Sequence, residues 1–229
     1  MRVDNLMDIN SKIFIAGSEK LIAGALTRKI AKKGYSNLLT AQDLDLTDQD
    51  QVNNFFKTNR PEYVFLSGGS SAGILANQRY PADLMAQNLV TQTNIICGAH
   101  EYKVNKLLFL ASSCTYPRDC PQPMDTTDLL TGPLETTNES YAIAKIAGIK
   151  LCQAYYSQFE DKFITAIPSN PFGIDDDFSS ENSHVIGALI SRMHQAKLDL
   201  QESVTIWGSG TPRRDFIFAD DLADACVFI

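Results

Sequence analysis

The chain has 229 residues, 44% of them hydrophobic, with 27 Asp and Glu against 20 Lys and Arg. That length holds one large domain or one and a half small ones, enough to bury a sizeable core. A net charge of −7 argues against a sequence-blind nucleic-acid binder, which needs a basic footprint, but not against an anionic small ligand met by a local Arg cluster.

Residues 1–12 lack the apolar core of a signal peptide, and no run of eighteen apolar residues occurs, so no membrane association is expected. The five cysteines (97, 114, 120, 152 and 226) form no CxxC pair. They read as reduced thiols of a cytoplasmic protein, with neither a disulfide frame nor a metal site.

Strand and helix signals then alternate along the chain. An apolar run at 12–16 ends in Gly17 and is followed by a helical stretch over 22–33, stopped at Gly34. Residues 37–40 suit a second strand, and Thr47 with Asp50 resembles a capping box opening a helix through Phe55 and Phe56. A third strand at 63–66 runs into a Gly/Ser loop at 67–73. A helix over 81–102 precedes the most apolar strand, 107–111, and a helix over 141–159 leads to a strand at 163–167.

The stretch 116–139 is a long connection, and connections of that length are more often functional than not. Beyond Gly173 come an acidic patch at 175–177, a helix over 184–197 and a strand at 204–207. This rhythm predicts an α/β fold: a doubly wound, Rossmann-like parallel sheet covered by helices on both faces. A dinucleotide-binding domain is expected over 1–170 and a small, incomplete C-terminal substrate lobe over 171–229, with about 214–229 returning to the first domain. Ligands of such sheets sit at the carboxyl ends of the strands, here Gly17, residues 67–69, Ser112 with Ser113, and 168–170.

Those ends hold the candidate chemistry. A phosphate-cradling turn needs glycines so that the backbone can approach a diphosphate at a helix N-terminus. The string here is Gly17, Ser18, Glu19, Lys20, Leu21, Ile22, Ala23, Gly24. Gly17 fits, but Lys20 fills the middle glycine position and its stem takes space a ligand wants.

Tyr141 and Lys145, four apart on a helix, share one face, and a nearby cation favours the phenolate. Tyr102 and Lys106 have the same spacing. Only Tyr141 opens a helix and follows strand-end hydroxyls, Ser112 and Ser113, that can bind a carbonyl oxygen. Cys114, two residues beyond Ser112, becomes a base under a slight electropositive pull. His184, at a helix start, can donate a proton. Arg192 and Arg214 can fork onto a diphosphate, and Trp207 offers a plane to a base or sugar.

Several strings together resemble one family. They are Ser112-Ser113-Cys114-x-Tyr116-Pro117, Gly132-Pro133-Leu134-Glu135-x-Thr137-Asn138-Glu139-x-Tyr141-Ala142-Ile143-Ala144-Lys145-Ile146-Ala147-Gly148, Glu181-Asn182-Ser183-His184-Val185 and Trp207-Gly208-Ser209-Gly210-Thr211-Pro212. They resemble the GDP-L-fucose synthases, which are extended short-chain dehydrogenase/reductases. The resemblance implies epimerisation at C3 and C5 of GDP-4-keto-6-deoxy-mannose, followed by hydride reduction at C4. It implies Cys114 and His184 as base and acid, Tyr141 as proton donor, Ser112 holding the carbonyl, and Lys145 tuning the phenol and binding ribose.

It also implies NADP as cofactor and a homodimer as assembly. Cofactor contacts would come from Gly17 to Ile22, Asp43, Asp45, Leu110, Ala111, Ser113, Lys145, Pro168, Ser169, Asn170, Pro171 and His184. Sugar-nucleotide contacts would come from Arg192, Trp207 and Arg214.

The sequence departs from the family at specific points. The family has Arg and Gly where this chain has Glu19 and Lys20. Leu39 and Ala41 stand where an Arg would hold the 2′-phosphate of NADP, and Asp43 can accept a ribose hydroxyl as in NAD binders. Family members also continue beyond residue 229, so the helix opened by Asp220 and Asp221 is expected to leave apolar surface uncovered. A catalytically weak or inactive truncated relative that binds a nucleotide ligand or a partner, or another nucleotide-sugar reductase/epimerase of the colitose type, is the alternative reading.

Overall fold

The computed structural model describes residues 7–17, 19–70, 73–179, 183–206 and 208–229. Five short strands, β1 (Ile13–Ala16), β2 (Leu38–Thr40), β3 (Tyr63–Leu66), β4 (Lys106–Leu110) and β5 (Phe163–Ala166), form one parallel sheet in the order β2-β1-β3-β4-β5. The chain moves outward from β1 to β2 and then crosses back to β3. The order therefore reverses between β1 and β3, and a crevice opens at their carboxyl ends.

Alternation along the strands sends side chains to two cores. Phe14, Val64, Leu66, Leu107 and Phe109 pack under α2 (Gln49–Asn59), α4 (Pro81–Glu101) and α5 (Glu139–Phe159), with Phe56, Ile96 and Ile149 from those helices. Ile13, Ile15, Phe65, Leu108 and Leu110 face the other way, under α1 (Lys20–Lys32) and α7 (Ala219–Phe228). Full burial of Phe14, Phe56 and Phe109 contributes about 2–3 kcal/mol each. The sheet is thus wound on both faces and Rossmann-like. Among the described residues no helix is long and apolar enough to cross a membrane.

Helix starts follow local chemistry, with one shift from the sequence reading. Asp48, not Thr47, caps α2: its carboxylate accepts from the N–H of Gln51 at 3.0 Å. Asp45 instead accepts from the N–H and hydroxyl of Thr47, so the capping signal lies one residue later than the Thr47–Asp50 spacing suggests. Glu19 stands at the N-cap of α1 yet makes no side-chain cap, and α1 starts two residues earlier than expected, at Lys20.

Two short elements had no sequence signal: α3 (Ile74–Arg79), and a second parallel sheet of β6 (Asn170–Phe172) with β7 (Phe216–Phe218). The expected strand over 204–207 is absent at 204–206, and Trp207 lies outside the described residues. Ile206 is exposed there, with no neighbouring strand to pair its backbone. The helix α6 (Val185–Leu198) begins after His184 as expected. Arg28 on α1 ties this lobe back to the sheet, reaching Asp175 at 3.2 Å and Asp220 at 2.7 Å. Lys29 adds a contact to Asp224 of α7 at 2.8 Å.

Candidate functional site

Close packing of α5 on β4 builds the centre of the site. A Cβ at Gly148 would come within 2.6 Å of the Phe109 ring and 2.8 Å of Gln92 Oε1, so only glycine lets the helix approach this far. One turn earlier on the same face, Lys145 is buried, and its ammonium donates to the Leu110 carbonyl at 3.3 Å. The ammonium lies 5.1 Å from the Phe109 ring centroid and 5.8 Å from that of Tyr141. The 3-10 turn Ser113–Thr115, opened by Ser112, then brings Ser112 and Cys114 over Tyr141. Thr115 locks that turn by donating its hydroxyl to the Ser112 carbonyl at 2.7 Å.

Burial governs the electrostatics of this group. Desolvation pushes the Tyr141 phenol far up, a charge on Cys114 would push it further, and the Ser112 hydroxyl opposes both. Desolvation likewise raises the Cys114 thiol, against the pull of the Ser112 hydroxyl and the Lys145 charge. The sequence reading had the thiol ionising easily; the apolar floor of Leu134, Ala142 and Ile146 outweighs the cation. Lys145 is lowered to about 8 by burial, while Glu19 and Cys114 hold it up. Tyr141 and Cys114 are therefore proton carriers at neutral pH, and the ammonium is close to its own titration. Tyr102, by contrast, is a packing residue: it ends α4, stacks on Phe56 at 6.1 Å and sits under Arg60.

The crevice between β1 and β3 has a different character. Gly17 ends β1, and a Cβ there would clash with Ser67 Oγ, approach Glu19 Oε2 to 2.8 Å and the Gly68 N–H nitrogen to 3.0 Å. Both Glu19 carboxylate oxygens and the Ser67 hydroxyl beside them are out of solvent. Desolvation raises Glu19 to about 7, and the Ser67 hydroxyl and the Lys145 charge pull it back. The carboxylate thus turns into the crevice and faces the ammonium of α5, while Lys20 is exposed. In the sequence, Glu19 stands out only as a departure from the Arg of the family. Its inward orientation depends on the tertiary approach of the β3 loop, for which no local signal exists.

The remaining sequence-predicted residues are spread around this cleft. Leu110 and Ala111 close the end of β4 and are buried; Ser113 is half-buried in the 3-10 turn. Leu21 and Ile22 are half-buried on the first turn of α1. Asp43 is exposed after β2, and Asp45 is held by Thr47. Pro168 and Ser169 follow β5, and Asn170 and Pro171 enter β6, where the Asn170 amide donates to the Asp215 carbonyl at 2.9 Å.

His184 is exposed at the start of α6, close enough to help hold Asp177 below the usual carboxylate range, after the Ser179 hydroxyl and N–H. Arg192 donates to the Thr205 carbonyl at 3.2 Å, and Arg214 is exposed two residues before β7. Ser18 and Trp207 lie outside the described residues.

Comparison with known proteins agrees with this architecture. Residues 13–229 match the model of the NAD dependent epimerase/dehydratase family. The chain is 50% identical over 229 residues to GDP-L-fucose synthase 1 of Arabidopsis thaliana, covering 99% of this chain and 71% of that protein. It is 44% identical over 220 residues to GDP-L-fucose synthase of Escherichia coli, covering 95% and 68%. Among solved structures it superposes with a TM-score of 0.88 and 37% identity on a GDP-mannoheptose C4 reductase from Campylobacter jejuni with NADP bound, covering 97% and 73%. The doubly wound sheet, the Tyr141–Lys145 face and these identities together place the chain in the NAD-dependent epimerase/dehydratase family, on its GDP-L-fucose synthase branch.

Proposed function

We propose that the chain converts GDP-4-keto-6-deoxy-D-mannose to GDP-L-fucose, by epimerisation at C3 and C5 followed by reduction at C4 with a nicotinamide dinucleotide. The observation that carries this reading is the convergence of Ser112, Cys114, Tyr141 and Lys145 at the carboxyl end of β4, on a chain 44–50% identical to such synthases.

The crevice fits a dinucleotide at most points. Gly17 leaves a cradle that a Cβ would fill, the Ser67 hydroxyl is buried beside it, and the Lys145 ammonium donates to one carbonyl and can take a ribose hydroxyl. The Glu19 carboxylate is the one feature that opposes a diphosphate. When bound, the dinucleotide supplies the hydride for C4. NADP is our reading of the cofactor, by likeness to the NADP-bound reductase. Leu39, Ala41 and Asp43, which put no Arg beside a 2′-phosphate, make NADH the competitor to test.

Each residue then has a task set by its surroundings. A 4-keto group acidifies the hydrogens at C3 and C5, and Ser112 donates to that carbonyl oxygen as charge develops there. Cys114, raised by burial, gives up its proton once a ligand brings positive charge or hydrogen bonds to the thiolate, and then removes those hydrogens. His184 returns a proton on the opposite face when the lobe carrying α6 covers the sugar. Tyr141, strongly protonated at rest, delivers its proton to the C4 oxygen in the reduction. Lys145 offsets the phenolate left behind. Arg192, Trp207 and Arg214 hold the sugar nucleotide, and two copies pair as a homodimer.

Incubation of the protein with the keto-sugar and NADPH or NADH in D2O tests the reading. The expected product is GDP-L-fucose carrying deuterium at C3 and C5. A C4-reduced sugar without deuterium at either carbon, as a simple 4-reductase would give, would contradict it.

A further inference from the structure

A carboxylate lodged where a diphosphate must lie has a thermodynamic consequence, and this inference rests on the nicotinamide reading above. Glu19 is at the N-cap of a thirteen-residue helix but makes no side-chain cap; its carboxylate turns inward beside the Ser67 hydroxyl, both oxygens out of solvent. Its surroundings come from three elements. The Ser67 hydroxyl stands on the loop after β3, the Ala23 N–H on α1, and Lys145 and Tyr141 on α5. The nearest basic residue on its own helix, Lys20, is exposed. Among the described residues, Lys145 is therefore the one cation that acts on the carboxylate inside the crevice.

A diphosphate at the N-terminus of α1 brings negative charge against this group. Like charges in a site of low dielectric do not stay ionised together, so the weaker acid takes a proton. The carboxylic acid, unlike the carboxylate, has an O–H that can donate to a phosphate oxygen. We propose that Glu19 couples dinucleotide binding to proton uptake: the carboxylate takes one proton from solvent, and the resulting acid donates to the diphosphate. Burial already holds this side chain up to about 7, so the proton is available at modest cost near neutrality. The sign follows: above that pH, free protein must gain a proton to bind, and affinity falls as pH rises.

Nicotinamide fluorescence titrations with NADH and NADPH, from pH 7 to pH 9, read the effect on wild type and Glu19→Gln. Wild-type Kd is expected to weaken by up to about tenfold per pH unit. Glu19→Gln is expected to lose most of that slope and to bind more tightly than wild type at pH 9. Calorimetry of the wild type in two buffers of different ionisation heat counts the proton without any variant and is expected to show uptake of about one.

A flat wild-type profile, no proton uptake, or a slope that survives in Glu19→Gln would overturn the coupling and leave the nicotinamide reading standing. A surviving slope would instead assign the proton to another group such as Lys145. Failure of both proteins to bind either dinucleotide at any pH would overturn both.

Discussion

At the carboxyl end of β4, burial keeps Tyr141 and Cys114 protonated, and Ser112 links the two; at the carboxyl end of β1, burial takes the Glu19 carboxylate out of solvent. The two ends of the cleft share Lys145, whose ammonium acts on Glu19 and on Cys114. The same physical term, desolvation, produces opposite results. It makes the first end a store of protons for chemistry on a sugar, and it makes the second resist a negatively charged ligand unless a proton arrives. One end is set up for turnover, and the other sets the conditions under which turnover can start.

Three substitutions sharpen that contrast, and a fourth marks its limit. The largest effect is expected from Ser112→Ala, which removes the hydroxyl that joins thiol, phenol and carbonyl oxygen. Loss of one such donor costs about 10²–10³ in kcat, and steady-state reduction of the keto-sugar measures it; a change under threefold would separate Ser112 from the chemistry.

Glu19→Gln comes next, read as stability. The folded protein holds this group at about 7 against an unfolded value of 4.5. Below the unfolded value both states bind the proton and nothing is lost. As pH rises toward 7 the unfolded chain ionises first, so the wild type loses stability, on the order of 3 kcal/mol by pH 8. Glu19→Gln should therefore raise Tm at pH 8 and leave it unchanged near pH 4. Urea unfolding at the two pH values checks it, and equal effects at both would place the carboxylate in water.

Gly148→Ala places a methyl against Phe109 and Gln92 and should cost about 1–3 kcal/mol. Because it pushes α5 off β4, it should lower kcat more than it raises KM for the sugar. The smallest effect is expected far from either end: Asp48→Ala removes the cap of α2, costs about 1 kcal/mol and leaves kinetics unchanged. A kinetic defect there would mean that the cleft is less local than its contacts imply.

Much of the sheet was legible because strands buried on both faces are continuous apolar runs. Those runs at 13–16, 63–66 and 107–110 have nowhere to go but a parallel core. The short pair β6–β7 was not legible. Asn170-Pro171-Phe172 has no periodicity, and it becomes a strand only because residues 216–218 lie alongside it. The reverse happened at 204–206, where apolar residues found no partner strand.

In the site, the Tyr141–Lys145 face and the Ser112–Cys114 turn follow from spacing on regular elements. The protonation of Cys114 and the inward turn of Glu19 do not. Both depend on which atoms exclude water around them, and residues distant in sequence, Leu134 and Ser67, decide that.

The central claim is that one pocket performs two separable proton transfers, with the thiol serving the carbon centres and the phenol serving the C4 oxygen. NMR of the keto-sugar in D2O, with and without dinucleotide, measures both steps in Cys114→Ser and Tyr141→Phe. Cys114→Ser should lose deuterium incorporation at C3 and C5 by about 10²-fold or more while still reducing a pre-epimerised keto-sugar, and Tyr141→Phe should exchange those hydrogens yet fail to reduce C4. Equal loss of exchange and reduction in both variants would contradict the account.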